Sequence, residues 1–519
     1  MSDAFLTALE NTFTLKVLLV ILASAAYGLF VGAMPGLTAT MAVALMVPFT
    51  FFLDPVSGLA AIVTMEACCI FAGDIPTTLM KIPGTPSSAA YVDDAYALTR
   101  QGRHLQALGV SLVFSVVGGL VGALVLIFFA PQLARIAFEF SSYEYFWLCV
   151  LGLSCAAVVS RGSLAKGLLS LSIGLLLSCV GLGSTHSVPR LTFGSDELIK
   201  GIEFIPAMIG LFGLAEVLRN FSILIPAVSP ITSKTSHSSG VSVAGWLRRS
   251  VDEVFGGTGQ RISKSGSRIL SSSTIGAAIG MLPGAGADIA AWVSYAVSKR
   301  RATPEQKDEY GKGSLDGIAD ATTANNASLA GAWIPALVLG IPGDSVTAIV
   351  IGVLLMKNIQ PGPGIFTDPV QLPLVYGIYI TFVVANLMLI PLGFLAIRAG
   401  SLIIRIPRQI ILPLILMFCI VGAFAINGSY FDIGVMLAMG LMGVVLERFE
   451  IPAGPVVLGI ILGGRLEEAL VQSLTKSESL TAFFGRPIAA GLGLLCIVLW
   501  LTPLITLILR KLRQTSESE

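Results

Sequence analysis

The sequence predicts an all-α polytopic membrane protein composed of two related, inverted repeats with broken or re-entrant helices. Of its 519 residues, 55% are hydrophobic and 12% are charged, whereas about 25% are charged in a typical soluble domain. Apolar runs at residues 105–130, 205–224 and 488–509 approach or exceed the roughly 20 residues that a transmembrane helix needs. About eleven or twelve hydrophobic segments follow one another, and Pro-Gly motifs interrupt several of them in both halves.

Composition and motif content argue against nucleic-acid binding and catalysis. The net charge is +1, without the basic surface that nucleic-acid binding needs. The sequence contains no G-x-S-x-G, H-E-x-x-H or Walker A pattern, which disfavours an enzyme or an ATP-driven pump. The seven cysteines lie within apolar runs and are expected to be small buried hydrophobes. We expect no cofactor and no metal site other than one for a transported sodium ion.

Two different motifs recur in the same order. Residues 28–36 and 276–284 both read G-x-x-x-G-x-x-P-G, offset by 248 positions, and Ile-Pro-Gly recurs at 82–84 and 341–343, offset by 259. The G-x-x-x-G spacing alone is common in membrane helices because it lets two backbones approach closely. An ordered recurrence of both motifs instead indicates a duplication. The predicted organisation is a first membrane repeat at 1–228, a polar, cytoplasmic connecting loop at 229–268 and a second membrane repeat at 269–519.

The placement of charge predicts that the repeats are inverted. Basic residues flank the segment 269–298 on both sides, at Arg261, Lys264 and Arg268 and again at 299–301. If bases mark the cytoplasmic face, this segment enters the membrane and returns to the same side. No basic cluster borders the first Pro-Gly segment, which is followed by Asp54. The first segment is therefore expected to enter from the opposite face.

The Pro-Gly breaks are the predicted substrate site. A helix break at membrane depth leaves backbone groups that lipid cannot satisfy, so it persists only where protein, water or a ligand supplies partners. The half-helix after the break presents free N–H groups and a positive dipole end, which bind anions without Arg or Lys. The predicted substrate-binding residues are those at the breaks and the hydroxyls and amides near them: Pro35, Gly36, Thr38, Pro83, Gly84, Thr85, Ser87, Pro283, Gly284, Gly286, Asn325, Asn326, Pro342, Gly343 and Ser345.

Three carboxylates are candidates for binding a coupling ion, either sodium or a proton. Asp288 and Asp344 follow Pro-Gly turns, where an Asp can be a helix N-cap, an ion ligand or both. Glu66 lies inside the apolar run 56–73, and an ionisable residue at such a place is by default functional. Asp93 and Asp94 precede a basic stretch, and both an interfacial and a functional role stay open for them.

Several ordered strings carry a family resemblance. Residues 280–288 read GMLPGAGAD, 339–344 read LGIPGD and 360–363 read QPGP, and 34–37, 81–86 and 100–103 echo them in the first half. With these strings the sequence resembles, along nearly its whole length, the large permease subunit of the bacterial tripartite tricarboxylate transporters. It departs from that pattern at 66–69, 94–97 and Thr322.

The resemblance implies a multi-pass permease of the bacterial cytoplasmic (inner) membrane. It also implies two protein partners, a small membrane subunit and a periplasmic solute-binding protein. The implied activity is uptake of di- or tricarboxylates driven by a sodium or proton gradient, with the site at the Pro-Gly loops and Asn325–Asn326. An anion channel, which can also use broken helices, and a permease for another small organic anion stay open as alternatives.

Overall fold

The computed structural model describes residues 2–159, 163–183, 188–222, 243–283, 286–403 and 408–516. These residues are mostly α-helical, with one antiparallel pair of short strands, β1 (Gly181–Leu182) and β2 (Pro189–Arg190). The helices up to residue 222 are α1 (Ser2–Thr12), α2 (Leu15–Gly32), α3 (Ala39–Phe51), α4 (Pro55–Ala72), α5 (Asp74–Met80), α6 (Val92–Arg100), α7 (His104–Ala137), α8 (Ser142–Val159), α9 (Leu164–Ser178), α10 (Phe204–Met208) and α11 (Ala215–Ser222). Those from residue 243 onward are α12 (Val243–Phe255), α13 (Thr258–Lys264), α14 (Gly266–Gly280), α15 (Gly286–Arg301), α16 (Pro304–Lys307), α17 (Leu315–Leu339), α18 (Ser345–Met356), α19 (Leu372–Ile403), α20 (Arg408–Asn427), α21 (Tyr430–Arg448), α22 (Gly454–Lys476) and α23 (Pro487–Ser516).

The predicted all-α polytopic membrane fold is confirmed. In the described part of the chain, five helical stretches are long and apolar enough to cross a bilayer: Leu15–Gly32, Pro55–Met80, His104–Ala137, Leu372–Gly400 and Tyr430–Arg448. Six shorter apolar helices accompany them. The apolar run 205–224 is not a simple helix, because a π-helical segment, Ile209–Leu214, joins α10 to α11. Of the predicted connecting segment, 229–242 lie outside the described residues, and α12 and α13 occupy much of the rest.

The chain forms two compact units, each drawing on both halves of the sequence. One unit comprises Met1–Ala134 with Ile205–Val445, and the other comprises Arg135–Phe204 with Leu446–Glu519. The second unit packs α9 closely on α22, since a β-carbon added at Gly174 would lie 2.1 Å from the Val456 carbonyl oxygen. Every residue of the predicted site belongs to the first unit.

The first G-x-x-x-G motif packs α2 against the backbone of α4. A β-carbon added at Gly28 would lie 2.4 Å from the carbonyl oxygen of Met65, and one at Gly32 would lie 2.3 Å from that of Cys69. No side chain fits at either distance. The two glycines are therefore required for this helix contact, as the close-approach interpretation of the motif predicts.

The second motif makes the same contact between α14 and α17. A β-carbon added at Gly276 would lie 2.2 Å from the carbonyl oxygen of Ala324, and one at Gly280 would lie 2.2 Å from that of Ser328. Gly276 and Gly280 lie 248 positions after Gly28 and Gly32. Their contact partners, Ala324 and Ser328, lie 259 positions after Met65 and Cys69. The two halves thus repeat a packing arrangement as well as a sequence pattern.

The equivalent helices α4 and α17 run in opposite directions. Glycines of α19 face α4 and α5 in ascending order, with Gly377 near Val56, Gly393 near Phe71 and Gly400 near Ile75. Glycines of α7 likewise face α17 in ascending order, with Gly118 near Thr323 and Gly122 near Ala327. The helices α7 and α19 cross in descending order, with Gly119 near Asn386 and Leu112 near Gly393. Helix α19 therefore runs parallel to α4, and α7 runs parallel to α17, whereas α7 and α19 are antiparallel. It follows that α4 and α17 are antiparallel, as inverted repeats require.

Each Pro-Gly segment is a helical hairpin whose two ends meet. In the first, the Nζ of Lys16, at the start of α2, lies 2.5 Å from Oδ2 of Asp54, which follows α3. In the second, Arg301 at the end of α15 donates to Ser271 near the start of α14 at 2.7 Å. The returning helices α3 and α15 have 13 and 16 residues, about 20 and 24 Å, shorter than the roughly 30 Å hydrocarbon core.

Asp54 is held ionised at its end of the first hairpin. Burial raises the pKa of its carboxyl, but hydrogen bonds from Lys16 and from the backbone and hydroxyl of Ser57 outweigh burial and bring the pKa to about 2. Its Oδ1 also caps α4 by accepting the Ser57 N–H at 2.9 Å.

Candidate functional site

The first Ile-Pro-Gly loop is seated on the break between α4 and α5. A β-carbon added at Gly84 would lie 2.4 Å from the Gly73 carbonyl oxygen and 2.5 Å from its Cα. Thr77, one turn into α5, donates to that carbonyl at 2.7 Å and accepts the Gly84 N–H at 3.1 Å. Pro83 is exposed beside them. The loop is therefore held by backbone contacts that only glycine permits.

The predicted hydroxyl ligands of this loop are bonded within it. Thr85 and Ser87 are buried and share a hydrogen bond of 2.8 Å. The backbone N–H of Ser88 donates to the Thr85 hydroxyl at 3.2 Å. In this conformation neither hydroxyl is presented to a ligand, so either would reach one only after the loop rearranges.

The second Ile-Pro-Gly loop takes the equivalent place in the second repeat. A β-carbon added at Gly343, which follows Pro342, would lie 2.7 Å from the Gly280 carbonyl oxygen and 2.8 Å from the Cα of Ala332. Ala332 lies 259 positions after Gly73. The two loops therefore rest on equivalent positions of the helical stretch Pro55–Met80 and of α17.

Asp344 is the N-cap of α18. Its Oδ1 accepts the Thr347 N–H at 2.8 Å, and the Thr347 hydroxyl accepts the Asp344 N–H at 2.9 Å. Asp344, the first residue of this reciprocal capping box, immediately precedes Ser345, the first residue of the helix. The positive dipole end of α18 thus lies at the Pro-Gly break, where Asp344 already accepts the Thr347 N–H.

Glu66 meets the second repeat in the protein interior. The Trp333 indole N–H donates to Glu66 Oε2 at 3.4 Å, and these side chains are 0% and 1% exposed. The Asp344 carboxylate is close enough to interact electrostatically with Glu66. Two of the three predicted ion ligands, one from each repeat, therefore lie near each other. Sequence reasoning missed Trp333, because only the fold places residues 267 positions apart in contact.

Asn325 and Asn326 carry side-chain oxygens without partners. Both residues are 2% exposed, and neither side-chain oxygen accepts a hydrogen bond within the part of the chain that the structure describes. Buried polar atoms of this kind are rare and mark a place for water, an ion or a ligand. Asn325 lies 259 positions after Glu66, so the two side chains occupy equivalent positions of their repeats.

The first Pro-Gly turn, at Pro35 and Gly36, lies beside a cation. Gly36 has a positive φ of 90°, and Thr38 caps α3. The Arg219 guanidinium comes within 3.5 Å of the Gly36 carbonyl oxygen and also bonds to Glu216. The sequence does not reveal an Arg here, since α11 is far away in sequence. The Arg219–Glu216 ion pair therefore adjoins the first Pro-Gly turn.

The second Pro-Gly turn adjoins the second loop. Pro283 lies in the turn after α14, and Gly284 lies outside the described residues. Gly286 begins α15 with a φ of 62°, and a β-carbon added there would lie 3.3 Å from the Cβ of Asp344. Asp288 lies in the first turn of the same helix. The structure thus groups Glu66 with Gly286 and Asp344, and within the described residues Thr38, Thr85 and Ser87 make no hydrogen bond to this group.

Asp94 is a structural tie between the two repeats. Its Oδ1 accepts backbone N–H groups from Gly311, Gly313 and Ser314 at 2.7, 2.9 and 2.8 Å. Its Oδ2 accepts the Tyr295 hydroxyl at 2.5 Å. Neither the interfacial nor the functional interpretation specified this role, because the loop that Asp94 binds lies more than 200 residues away.

Comparison with known proteins decides the family. Residues 18–458 match the tripartite tricarboxylate transporter TctA family. The chain belongs to this family. The resemblance seen in the Pro-Gly strings is therefore confirmed, and the protein is a multi-pass membrane component of a tripartite tricarboxylate transporter, which implies partner subunits. The family is a transporter family, in keeping with the missing enzyme motifs.

Two curated relatives of this TctA-family chain come from Agrobacterium vitis. An uncharacterized 52.8 kDa protein in the TAR-I ttuC' 3' region is 33% identical over 482 residues, which cover 92% of each chain. An uncharacterized protein in the TAR-II ttuC' 3' region is 36% identical over 234 residues, covering 44% of this chain and 95% of the relative. No solved structure matches.

Exchanging Asp344 for Asn and for Ala separates its cap from its charge in this TctA-family protein. Asn keeps an oxygen at the N-cap, whereas Ala removes it at a cost of about 1 kcal/mol. We expect the thermal midpoint in detergent to fall only in the Ala variant, while transport weakens in both. Unchanged transport by the Asn variant would show that Asp344 serves only as the helix cap.

Proposed function

We propose that this protein is the permease subunit of a binding-protein-dependent secondary transporter that takes up di- or tricarboxylates. A sodium or proton gradient across the bacterial cytoplasmic membrane drives the uptake. One observation supports the proposal. An Ile-Pro-Gly loop packs on the helical stretch Pro55–Met80 in the first repeat and at the equivalent position of α17 in the second, and α4 and α17 are antiparallel. Paired, oppositely directed helix breaks are the arrangement that alternating access uses around a fixed site.

The chemistry of the loops suits a carboxylate substrate. The N-terminus of α18 places a positive dipole end beside Asp344, and Asn325 and Asn326 add amide groups in the interior. Arg219 lies beside the first Pro-Gly turn. After a rearrangement of the first loop, the hydroxyls of Thr85 and Ser87 become further donors. A small anion is thus recognised mainly by neutral donors, which release it more readily than a cluster of fixed charges.

The proposed partners are a small membrane subunit and a periplasmic solute-binding protein. Membership of a tripartite family supports partner subunits, and a binding protein that delivers substrate explains how a permease of modest polarity can be selective. The remaining partners are the substrate and the lipid bilayer, with no nucleic acid.

Reconstitution tests this function. Proteoliposomes that contain this chain, the small membrane subunit and the binding protein should accumulate radiolabelled succinate or citrate when a sodium or proton gradient is imposed. Accumulation should stop when either the gradient or the binding protein is left out. Equilibration that needs neither would contradict the proposal and indicate an anion channel. Accumulation of other organic anions, but of neither carboxylate, would indicate a permease of different specificity.

A further inference from the structure

The proposed site does not use Asp74, a buried carboxylate of the first repeat. Asp74 begins α5, inside the apolar stretch Pro55–Met80, and is 2% exposed. The Tyr91 hydroxyl donates to its Oδ1, and the Ser111 hydroxyl donates to its Oδ2. No Lys, Arg or His contacts this carboxylate in the described part of the chain. An ionisable group placed in this way within a membrane protein calls for a function.

The partners of Asp74 are suited to two protonation states. A hydroxyl can donate or accept, so a charged Asp74 accepts from both partners, and a protonated Asp74 donates to one of them. An N–H group can only donate. Every other carboxylate that is less than about a tenth exposed in the described residues accepts from at least one N–H: Glu66 from Trp333, Asp94 from Gly311, Glu144 from Ser141, Glu216 from Arg219, Asp320 from Arg268 and Asp432 from Asn427.

Asp74 is also linked through the backbone to the first substrate loop. It follows Gly73, the residue on which Gly84 rests, and precedes by one turn Thr77, which binds both Gly73 and Gly84. If a change of charge on Asp74 shifts the α4–α5 break, it therefore also moves Gly73, the residue against which Gly84 of the loop packs. This contact gives ion binding and substrate binding a shared structural element.

We propose that Asp74 carries the coupling proton of this transporter. The inference rests on the proposed function and names its coupling ion. On one side of the membrane a hydronium ion gives a proton to a carboxylate oxygen, so that one O–H bond of hydronium breaks and one O–H bond of Asp74 forms. A partner hydroxyl then turns to accept a hydrogen bond from this new O–H. On the other side the same O–H bond breaks and the proton returns to water, with no other reactant.

The charged neighbours of Asp74 are already bound elsewhere. Around it, Tyr91 is the titratable group in direct contact. The charged side chains of α4, α6 and α19 closest to it in sequence or fold have partners of their own, and none is in contact with Asp74 in the described residues: Glu66 bonds to Trp333, Asp93 to Lys81 at 3.0 Å, Asp94 to the loop 311–314 and Arg398 to Glu253 at 2.9 Å. None of these pairs supplies Asp74 with a cation.

Asp74→Asn tests the proposal in proteoliposomes with all three components, with succinate as the probe. The amide keeps the shape and can bond to both hydroxyls, but it cannot exchange a proton. With sodium absent and an imposed pH gradient, we expect accumulation to fall at least tenfold. Exchange of labelled for unlabelled succinate at equal pH should persist, because exchange needs no empty, deprotonated carrier. Asp93→Asn, which changes an exposed carboxylate, should behave as the wild type.

A second measurement uses the wild-type protein, so its result does not depend on whether the Asp74→Asn variant folds. A pH-sensitive dye inside the vesicles should report proton entry with succinate in the wild type. Accumulation by Asp74→Asn equal to that of the wild type would overturn the proposal. So would wild-type uptake driven by sodium without proton entry, although the proposed function would then stand. Uptake that never requires the binding protein or a gradient would overturn both.

Discussion

Replacing Gly84 with Val should abolish carboxylate uptake while the protein still inserts into the membrane. The first added carbon would lie 2.4 Å from the Gly73 carbonyl oxygen, and the two methyl groups of Val extend the clash further. The neighbour is backbone at a helix break, so it cannot swing aside as a flexible side chain would. The Ile-Pro-Gly loop must then leave its seat, and uptake of labelled succinate by proteoliposomes should fall to the background level.

Gly343→Val should have the same effect in the second repeat, because its β-carbon would lie 2.7 Å from the Gly280 carbonyl oxygen. Gly434→Val is the matched control, since nothing lies within 4 Å of a β-carbon at that position of α21. Size-exclusion profiles in detergent would show that all three variants insert and fold. Wild-type uptake by both loop variants would show that the loops are not the substrate site.

Asp94→Ala should cause the largest loss of stability. The substitution removes the carboxylate that accepts hydrogen bonds from three backbone N–H groups and from the Tyr295 hydroxyl. Asp94 is 0% exposed, so water cannot replace the lost acceptor. Removing one partner of a buried charged network costs on the order of 3–5 kcal/mol. The midpoint of thermal unfolding in detergent should fall accordingly.

Asp93→Ala is the control for this loss. The Asp93 carboxylate is 64% exposed and pairs with an exposed Lys81, and such surface pairs contribute about 0–1 kcal/mol. Equal and small shifts for Asp93→Ala and Asp94→Ala would show that the contacts of Asp94 do not hold the two repeats together.

The repeat could be predicted from the sequence in some detail. The offsets of 248 and 259 between motifs also relate the contact partners in space, since Gly28 meets Met65 as Gly276 meets Ala324. Such regularity arises because a glycine pair at helical spacing lets two helix backbones approach closely, and both repeats use it in this way. The Pro-Gly strings likewise predicted breaks where the structure has them.

The partners of the polar residues could not be predicted. Hydropathy marks Glu66 as unusual, but it does not reveal that Trp333 faces it. Thr85 and Ser87 have the chemistry of anion ligands, yet the loop uses their hydroxyls internally. In the sequence, Asp74 only borders the apolar run 56–73. Its two hydroxyl partners, 17 and 37 residues away, distinguish it from the other carboxylates, and only the fold brings them together.

The proposed transport requires that the two repeats enter the membrane from opposite faces, and the accessibility of introduced cysteines would show whether they do. Asp54 and residue 300 belong to the ends of the two hairpins. The native cysteines provide a low background, because all but the half-buried Cys179 are buried. A membrane-impermeant maleimide should label Asp54→Cys from one side of oriented vesicles and Arg300→Cys from the other. Labelling of both variants from the same side would contradict the inverted arrangement and, with it, the paired half-sites on which the proposed transport rests.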